Sequence, residues 1–195
     1  MFLDGTQVSD AGLVYFQGLT RLKFLSLSET KVSDVGLTRL RRLTNLENLD
    51  LSNTQVSDEG MACLQGLTGL EFLDLSSTQV SDSGLARLRG LARLKYLHLD
   101  NTKVGDEGLI SFRGQTHFKG LFFNKSQVSD VGLAHLRELT DLAVLDVSDT
   151  GVTDAGLDNL CGLTRLETLR LSGTQVTEAG ITNLRNALPN CEIIP

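Results

Sequence analysis

The sequence predicts an α/β right-handed solenoid, curved so that a parallel β-sheet lines its concave face and short helices line the convex one. Three observations predict it. A pattern of 24 residues recurs end to end from Thr6 without insertion or deletion. Within each unit, one stretch alternates apolar and polar residues as a half-buried strand does. Ahead of that stretch, a Ser/Thr-Asp pair is followed by apolar residues three apart, the spacing of a short helix.

The first complete unit, Thr6 to Glu29, shows each element in turn. Ser9 and Asp10 supply an N-cap and an acidic first turn, which satisfy free N–H groups and complement the helix dipole. Leu13 and Phe16 share one helical face, and Gly18 stands where a left-handed C′ glycine belongs, as do Gly66, Gly90, Gly114 and Gly162. The helix is expected to run about two turns, too short to persist alone. Leu25 and Leu27 then alternate with Phe24, Ser26 and Ser28 in the strand. No single unit can bury its own apolar face, so stacking supplies the core. Seven such units fill residues 6–173, after a partial repeat at 1–5 and before a C-terminal repeat and cap at 174–195. No linker or low-complexity stretch interrupts them, and one domain is expected.

Bulk properties exclude several classes. The net charge of −6 argues against nucleic acid, which requires a concentrated Lys/Arg face. No run of about 18 apolar residues occurs, so no membrane-spanning helix is expected. Cys63, Cys161 and Cys191 are odd in number and widely spaced, neither a disulfide framework nor a zinc site. Reduced thiols, with a Met1 to Gly5 segment unlike a signal peptide, lean toward a cytoplasmic compartment. No GxxxxGK[ST], GxGxxG or HExxH motif is present, and no cofactor is expected.

The run Leu22 to Thr30 reads LxxLxLxxT, which resembles the leucine-rich-repeat signature LxxLxLxxN with Thr in place of Asn. The flanking TxV[ST]DxGLxxL resembles a bacterial branch of that family and is similar to the cysteine-containing repeats of F-box proteins. The resemblance implies a solenoid that recognises partners, usually proteins, on its concave face; it implies no particular ligand. Met1-Phe2-Leu3 aligns with Leu25-Ser26-Leu27, so the chain is expected to begin inside a repeat and to be cut from a longer protein. Leu3, Val8 and Leu13 should then expose part of their inner face, and weak end-to-end self-association is expected. At the other end, Leu184 to Pro195 resembles a terminal cap in which Cys191 replaces a core leucine.

Some columns of the repeat read as structural. Thr30, Thr54, Thr78, Thr102 and Thr150, with Ser126, are expected to bond free backbone groups at the turn. The Asp column (Asp10, Asp34, Asp58, Asp82, Asp106, Asp130, Asp154) is read as dipole complementation rather than a metal stripe, and Arg41, Arg89, Arg113, Arg137 and Arg185 as its counterpart at the helix ends.

The outward strand columns do not repeat one residue type. One runs Phe24, Asn48, Phe72, Tyr96, Gly120, Val144, Thr168; the next Ser26, Asp50, Asp74, His98, Phe122, Asp146, Arg170. Aromatic groups on a face that should be wet, ringed by polar ones, resemble an interface core. Partner-binding candidates are therefore Phe24, Asn48, Asp50, Phe72, Asp74, Tyr96, His98, Phe122, Asp146 and Arg170. Ten acidic side chains (Asp4, Glu29, Glu47, Asp50, Glu71, Asp74, Asp100, Asp146, Asp149, Glu167) against Lys23, Lys95, Lys119, Lys125 and Arg170 make this face acidic, which suits a protein partner with basic and apolar patches. A carbohydrate- or peptidoglycan-binding module, or the substrate-adaptor part of a larger protein, is the alternative. His98, Asp74 and Ser76 are raw material for catalysis and Asp50, Asp74 and His98 for a cation. An open sheet offers them no enclosed pocket, and a non-enzymatic role is preferred. The unit Thr102 to Lys125 departs from its siblings: Gln115 replaces a leucine, and Phe112, Phe118 and Phe123 replace others. Either its core is repacked, or it bends the stack and shapes a pocket beside His98 and Phe122.

Overall fold

The computed structural model describes all residues, 1–195. Eight three-residue strands form a single parallel sheet in chain order: β1 Phe24–Ser26, β2 Asn48–Asp50, β3 Phe72–Asp74, β4 Tyr96–His98, β5 Gly120–Phe122, β6 Val144–Asp146, β7 Thr168–Arg170 and β8 Glu192–Ile194. The register follows the repeat: Leu25 pairs with Leu49, Leu49 with Leu73, and so on to Leu169 with Ile193. Identical phase in every unit leaves no register that would keep the leucines buried other than this one. Eight strands are expected with the first at Phe2 and Leu3; there the chain instead makes a lone bridge, Phe2 to Ser26, and the eighth strand is the C-terminal one. In that strand Ile193 takes the position of Leu169, and Cys191, whose N–H bonds to Leu188 O at 3.1 Å as Leu166 N–H bonds to Leu163 O at 2.9 Å, takes that of Leu166 as expected. Cys191 stays half-buried, and Cys63 alone of the three free cysteines is buried.

Between strands run short helices: a single turn at α1 Asp34–Leu37, a seven-residue α2 Asp58–Leu64, single turns at α3 Asp82–Leu85, α4 Asp106–Leu109, α5 Asp130–Leu133 and α6 Asp154–Leu157, and a longer α7 at Glu178–Ala187. Most tighten into 3₁₀ turns rather than completing a second α turn, as at Leu40–Arg42 and Ala86–Gly90. The next buried leucine closes the turn with its own N–H, Leu43 to Leu40 O at 2.8 Å and Leu91 to Leu88 O at 3.0 Å. That is why the expected C′ glycines are not left-handed: among Gly18, Gly66, Gly90, Gly114 and Gly162, only Gly114 has a positive φ, 73°. None of the helices is long and apolar enough to cross a membrane.

The Asp column does more than complement a dipole. Asp10 Oδ1 accepts the Ser33 backbone N–H at 2.8 Å, and its Oδ2 accepts the Ser33 hydroxyl at 2.6 Å. The bond therefore joins one repeat to the next. It recurs from Asp34 to Ser57, Asp58 to Ser81, Asp106 to Ser129, Asp130 to Thr153 and Asp154 to Thr177. The clamped hydroxyl also caps its own helix, Ser33 Oγ accepting from Val35 N–H at 3.3 Å. The first unit forms only a 3₁₀ turn, Gly12–Phe16, with Ala11 at its N-cap position and no side-chain cap bond. Gly36 explains the GL of the motif, since a Cβ there would collide with Asp10 Oδ1; the same holds at Gly60 through Gly180.

After each of the first six strands the chain turns through a left-handed residue, Glu29, Asn53, Ser77, Asn101, Lys125 and Asp149, with φ between 52° and 57°, and after β7 through Gly173 with φ 72°. Thr30 Oγ1 donates to Leu27 O at 2.6 Å and closes that turn, and its equivalents do likewise. Ser126 is the exception: its buried hydroxyl has no partner. One continuous apolar core runs from Leu13 to Ile193, filled by the paired leucine columns and Val32, Val56 and their equivalents. Leu3 and Val8 are half-buried as expected of the first unit, but Leu13 is fully buried, covered by the neighbouring helix. In the odd unit, Phe112, Phe118 and Phe123 are all buried and pack ring to ring, Phe112 edge-on to Phe118 at 5.0 Å, so the core is repacked.

Two stability outcomes follow. Leu97 is 0% exposed and Tyr96, one residue earlier, is 40% exposed. Leu97→Ala should cost about 2–5 kcal/mol by urea denaturation, whereas Tyr96→Ala should cost far less; equal losses would overturn the strand phase. At Asp82 the clamp meets Gly105, which offers its N–H at 2.7 Å but no hydroxyl. Gly105 is extended, and a Cβ there makes only ordinary contacts. Gly105→Ser should restore clamp and cap together and raise stability by about 1 kcal/mol, read as a higher urea midpoint with unchanged slope.

Candidate functional site

The outer face of the sheet carries an aromatic cluster built by the register. His98 lies in β4 between Phe122 of β5, stacked on it at 3.9 Å with 11° between the rings, and Phe72 of β3, tilted at 5.2 Å. Tyr96 lies against Gly120 of the next strand: a Cβ at Gly120 would collide with the Tyr96 ring and press on Phe122. Glycine is thus the residue that lets Tyr96 lie over the neighbouring strand. Phe72, His98 and Phe122 are half-buried by one another while Tyr96 remains exposed.

The carboxylates beside this cluster differ in their surroundings. Asp50 Oδ1 accepts from the Ser52 N–H at 2.9 Å and the Ser52 hydroxyl at 2.7 Å. Asp74 Oδ1 accepts the Ser76 N–H at 2.8 Å. Burial pushes the Asp74 carboxyl above its usual range; Ser76 and His98 oppose that, and the neighbouring Asp50 adds to it. Asp100, two residues beyond His98, accepts the Asn124 N–H at 2.8 Å and faces His98 Nδ1 at 3.8 Å. Ser76 also donates to Asp100, at 3.3 Å. His98 and Ser76 thus both address Asp100 rather than each other, and no nucleophile–base pair forms between them. No three His, Cys, Asp or Glu side chains gather to hold a metal ion.

Other candidates lie apart. Phe24 packs on Phe2 at 4.6 Å, two strands from Phe72, with Asn48 between them. Asp146 is only 7% exposed, bonded to Ser148 N–H and 3.7 Å from Arg170, so it is not an open rim charge. Several acids of the face are paired with the cations counted against them. Glu47 pairs with Lys23 at 2.8 Å, and Glu71 with Lys95 and Arg93, each at 2.7 Å. Lys95, then Arg93, hold the Glu71 carboxyl below its usual range. Asp4, Glu29, Asp50, Asp74, Asp149 and Glu167 have no cation from the chain beside them, and of these Asp50 and Asp74 lie next to the aromatic cluster. In the odd unit an opening lies on the helical side, around Gln115.

Two family patterns match the chain, "Leucine Rich repeats (2 copies)" over residues 20–60 and "Leucine Rich repeat" over 67–88, 93–112 and 138–161. Together they take in more than half of it, and the chain belongs to the leucine-rich-repeat family. Among solved structures it is similar to internalin C2 of Listeria monocytogenes, with 28% identity and a TM-score of 0.76 over 98% of this chain and 79% of that one. It also matches a leucine-rich-repeat protein of Leptospira interrogans at 18% identity and a TM-score of 0.70, over 92% of this chain and half of that one; this second likeness concerns the fold. No curated protein matches the chain. The leucine-rich-repeat fold generally serves protein–protein interaction, and such repeats are typically non-enzymatic.

The raised carboxyl of Asp74 has a measurable sign. A carboxyl that binds its proton more tightly folded than unfolded destabilises the fold at neutral pH, and this cost disappears as pH falls through the raised value toward the ordinary 3.8. Asp74→Asn retains the acceptor for Ser76 and removes the charge. It should melt higher than the wild type at pH 7, with the gap closing by about pH 4; a gap independent of pH would contradict the assignment.

Proposed function

We propose that the protein binds a protein partner through the outer face of its sheet, centred on Phe72, Tyr96, His98 and Phe122. The observation that carries this reading is the mutual stack of those rings at mid-sheet, where a polar surface would satisfy the fold equally well. Aromatic groups held rigid by one another lose little side-chain entropy on binding, and such anchors supply most of an interface's energy. Asp50 and Asp74, the carboxylates left unpaired beside them, favour a partner that brings basic side chains alongside apolar ones. Asn48, Phe24 and Arg170 lie toward the periphery, where contacts position more than they bind. The reading is of a binding surface without catalysis. It accords with His98 and Ser76 both turning to Asp100, and with a charge state at Asp74 that costs stability unless something cationic meets it.

The test is capture from the native host followed by affinity measurement with the purified partner. Each anchor truncated should weaken binding by about 2 kcal/mol, roughly 30-fold. A Tyr96→Ala, Phe122→Ala double variant should therefore lose the partner while remaining folded by circular dichroism. Asp50→Asn should slow association and flatten its dependence on salt. A sugar ligand on the same rings would bind indifferently to salt, and retention of the partner by the double variant would place the site elsewhere.

A further inference from the structure

Five repeats bury a leucine where the helix gives way to the next strand: Leu43, Leu67, Leu91, Leu139 and Leu163. In the fifth unit that position is Gln115, half-buried, with its side-chain amide donating to Ser111 O. The backbone departs as well. Gly114, just before it, is the one glycine of its column in the left-handed region, and Arg113 is extended at ψ 127°. Phe112, Phe118 and Phe123 fill the core behind, so Gln115 is not needed as a space-filler there. In front of it opens a cleft of about 470 Å³, on the helical side and away from the aromatic cluster.

Arg89, Arg113, Gln115, Ser111 and His117 line that cleft, and no carboxylate does. Neither guanidinium has a carboxylate partner, in contrast to Arg93, Arg165 and Arg170. Arg89 gives one N–H to Ile110 O at 3.4 Å and leaves the rest of its fork free. Arg113 directs Nε and Nη2 at His135 Nδ1, at 3.0 and 2.8 Å. Burial and then the Arg113 charge push the His135 pKa down, so the ring is a neutral acceptor that fixes the guanidinium. His117 is stacked on Phe118 at 4.8 Å, and burial lowers its pKa too. In a chain of net charge −6, the repeat has thus given up a buried leucine and gained an open concavity whose only charges are two oriented guanidinia.

We propose that this cleft is a second binding site, separate from the sheet face, for an oxyanion: a carboxylate or a phosphate held between Arg89 and Arg113, with the Gln115 amide as a neutral partner. Guanidinium forks match both groups in geometry and charge. The site and the sheet-face reading stand or fall separately.

The experiment titrates the whole 195-residue chain with inorganic phosphate and, in a second arm, with acetate, each against chloride at equal ionic strength. The readouts are the Arg Nε–H and Gln side-chain amide resonances and the melting temperature. The expected result is saturable shifts at Arg89, Arg113 and Gln115 in at least one arm, with a rise in melting temperature that chloride does not give. Saturation with phosphate only, or with acetate only, names the source. Arg89→Gln and Arg113→Gln should each weaken binding at least tenfold. Gln115→Leu, which restores the repeat, should melt higher yet bind nothing, while Tyr96→Ala should bind as the wild type does. Failure of both anions to saturate above chloride overturns the site, and so does anion binding that survives Gln115→Leu.

Discussion

The carboxylate of each helix's first turn holds the next repeat in place, and much of the architecture depends on that bond. One Asp side chain takes up both the backbone N–H and the hydroxyl of a residue 23 positions on, and the same hydroxyl caps the following helix. A three-residue strand and a four-residue helix are each far below the length that persists alone. Joining the cap of one to the first turn of the next makes formation of each repeat conditional on its neighbour. The close approach this requires is also why glycine stands three residues beyond the capping Ser or Thr in the motif.

That bond fixes where the helices sit and frees the sheet's other face. Parallel sheets are ordinarily covered on both sides. Here helices occupy one side only, and the outward residues are constrained by nothing that repeats. The left-handed turns between strands, closed by Thr30 and its equivalents, hold the strands at constant pitch and phase. Neighbouring outward side chains consequently stack in columns, which is how Phe72, His98 and Phe122, dispersed in the chain, become a single cluster.

The sequence made the repeat period, strand phase and buried leucines legible because each is a regularity sampled seven times. The Asp column was visible as a regularity too, but its partner lies in the following repeat, and a pattern read within one unit assigns it to the helix dipole alone. The C′ reading of Gly18, Gly66, Gly90 and Gly162 failed for a related reason: the 3₁₀ turn is closed by a leucine N–H that composition does not reveal. At the sheet face, the columns identified Phe72, Tyr96, His98 and Phe122 correctly as neighbours. The charges pair along single columns of the repeat, Lys23 with Glu47, Lys95 with Glu71 and Arg170 with Asp146, each 24 residues apart. The contacts of Asp100 with His98 and Ser76 and the role of Gly120 were missed, although a lone glycine in an aromatic column was a signal that a ring lies over it.

The absence of a hydroxyl at Gly105 has a consequence for how the molecule comes apart. In a stack where each repeat touches only its neighbours, stability is a chain of nearest-neighbour couplings, and cooperativity is limited by the weakest of them. The junction between α3 and α4 lacks one of the two bonds found at its counterparts and lies near the middle of the chain. Fluctuations that split the solenoid should begin there, dividing it into two subglobal unfolding units, so that amides on either side exchange with solvent as separate groups rather than as one.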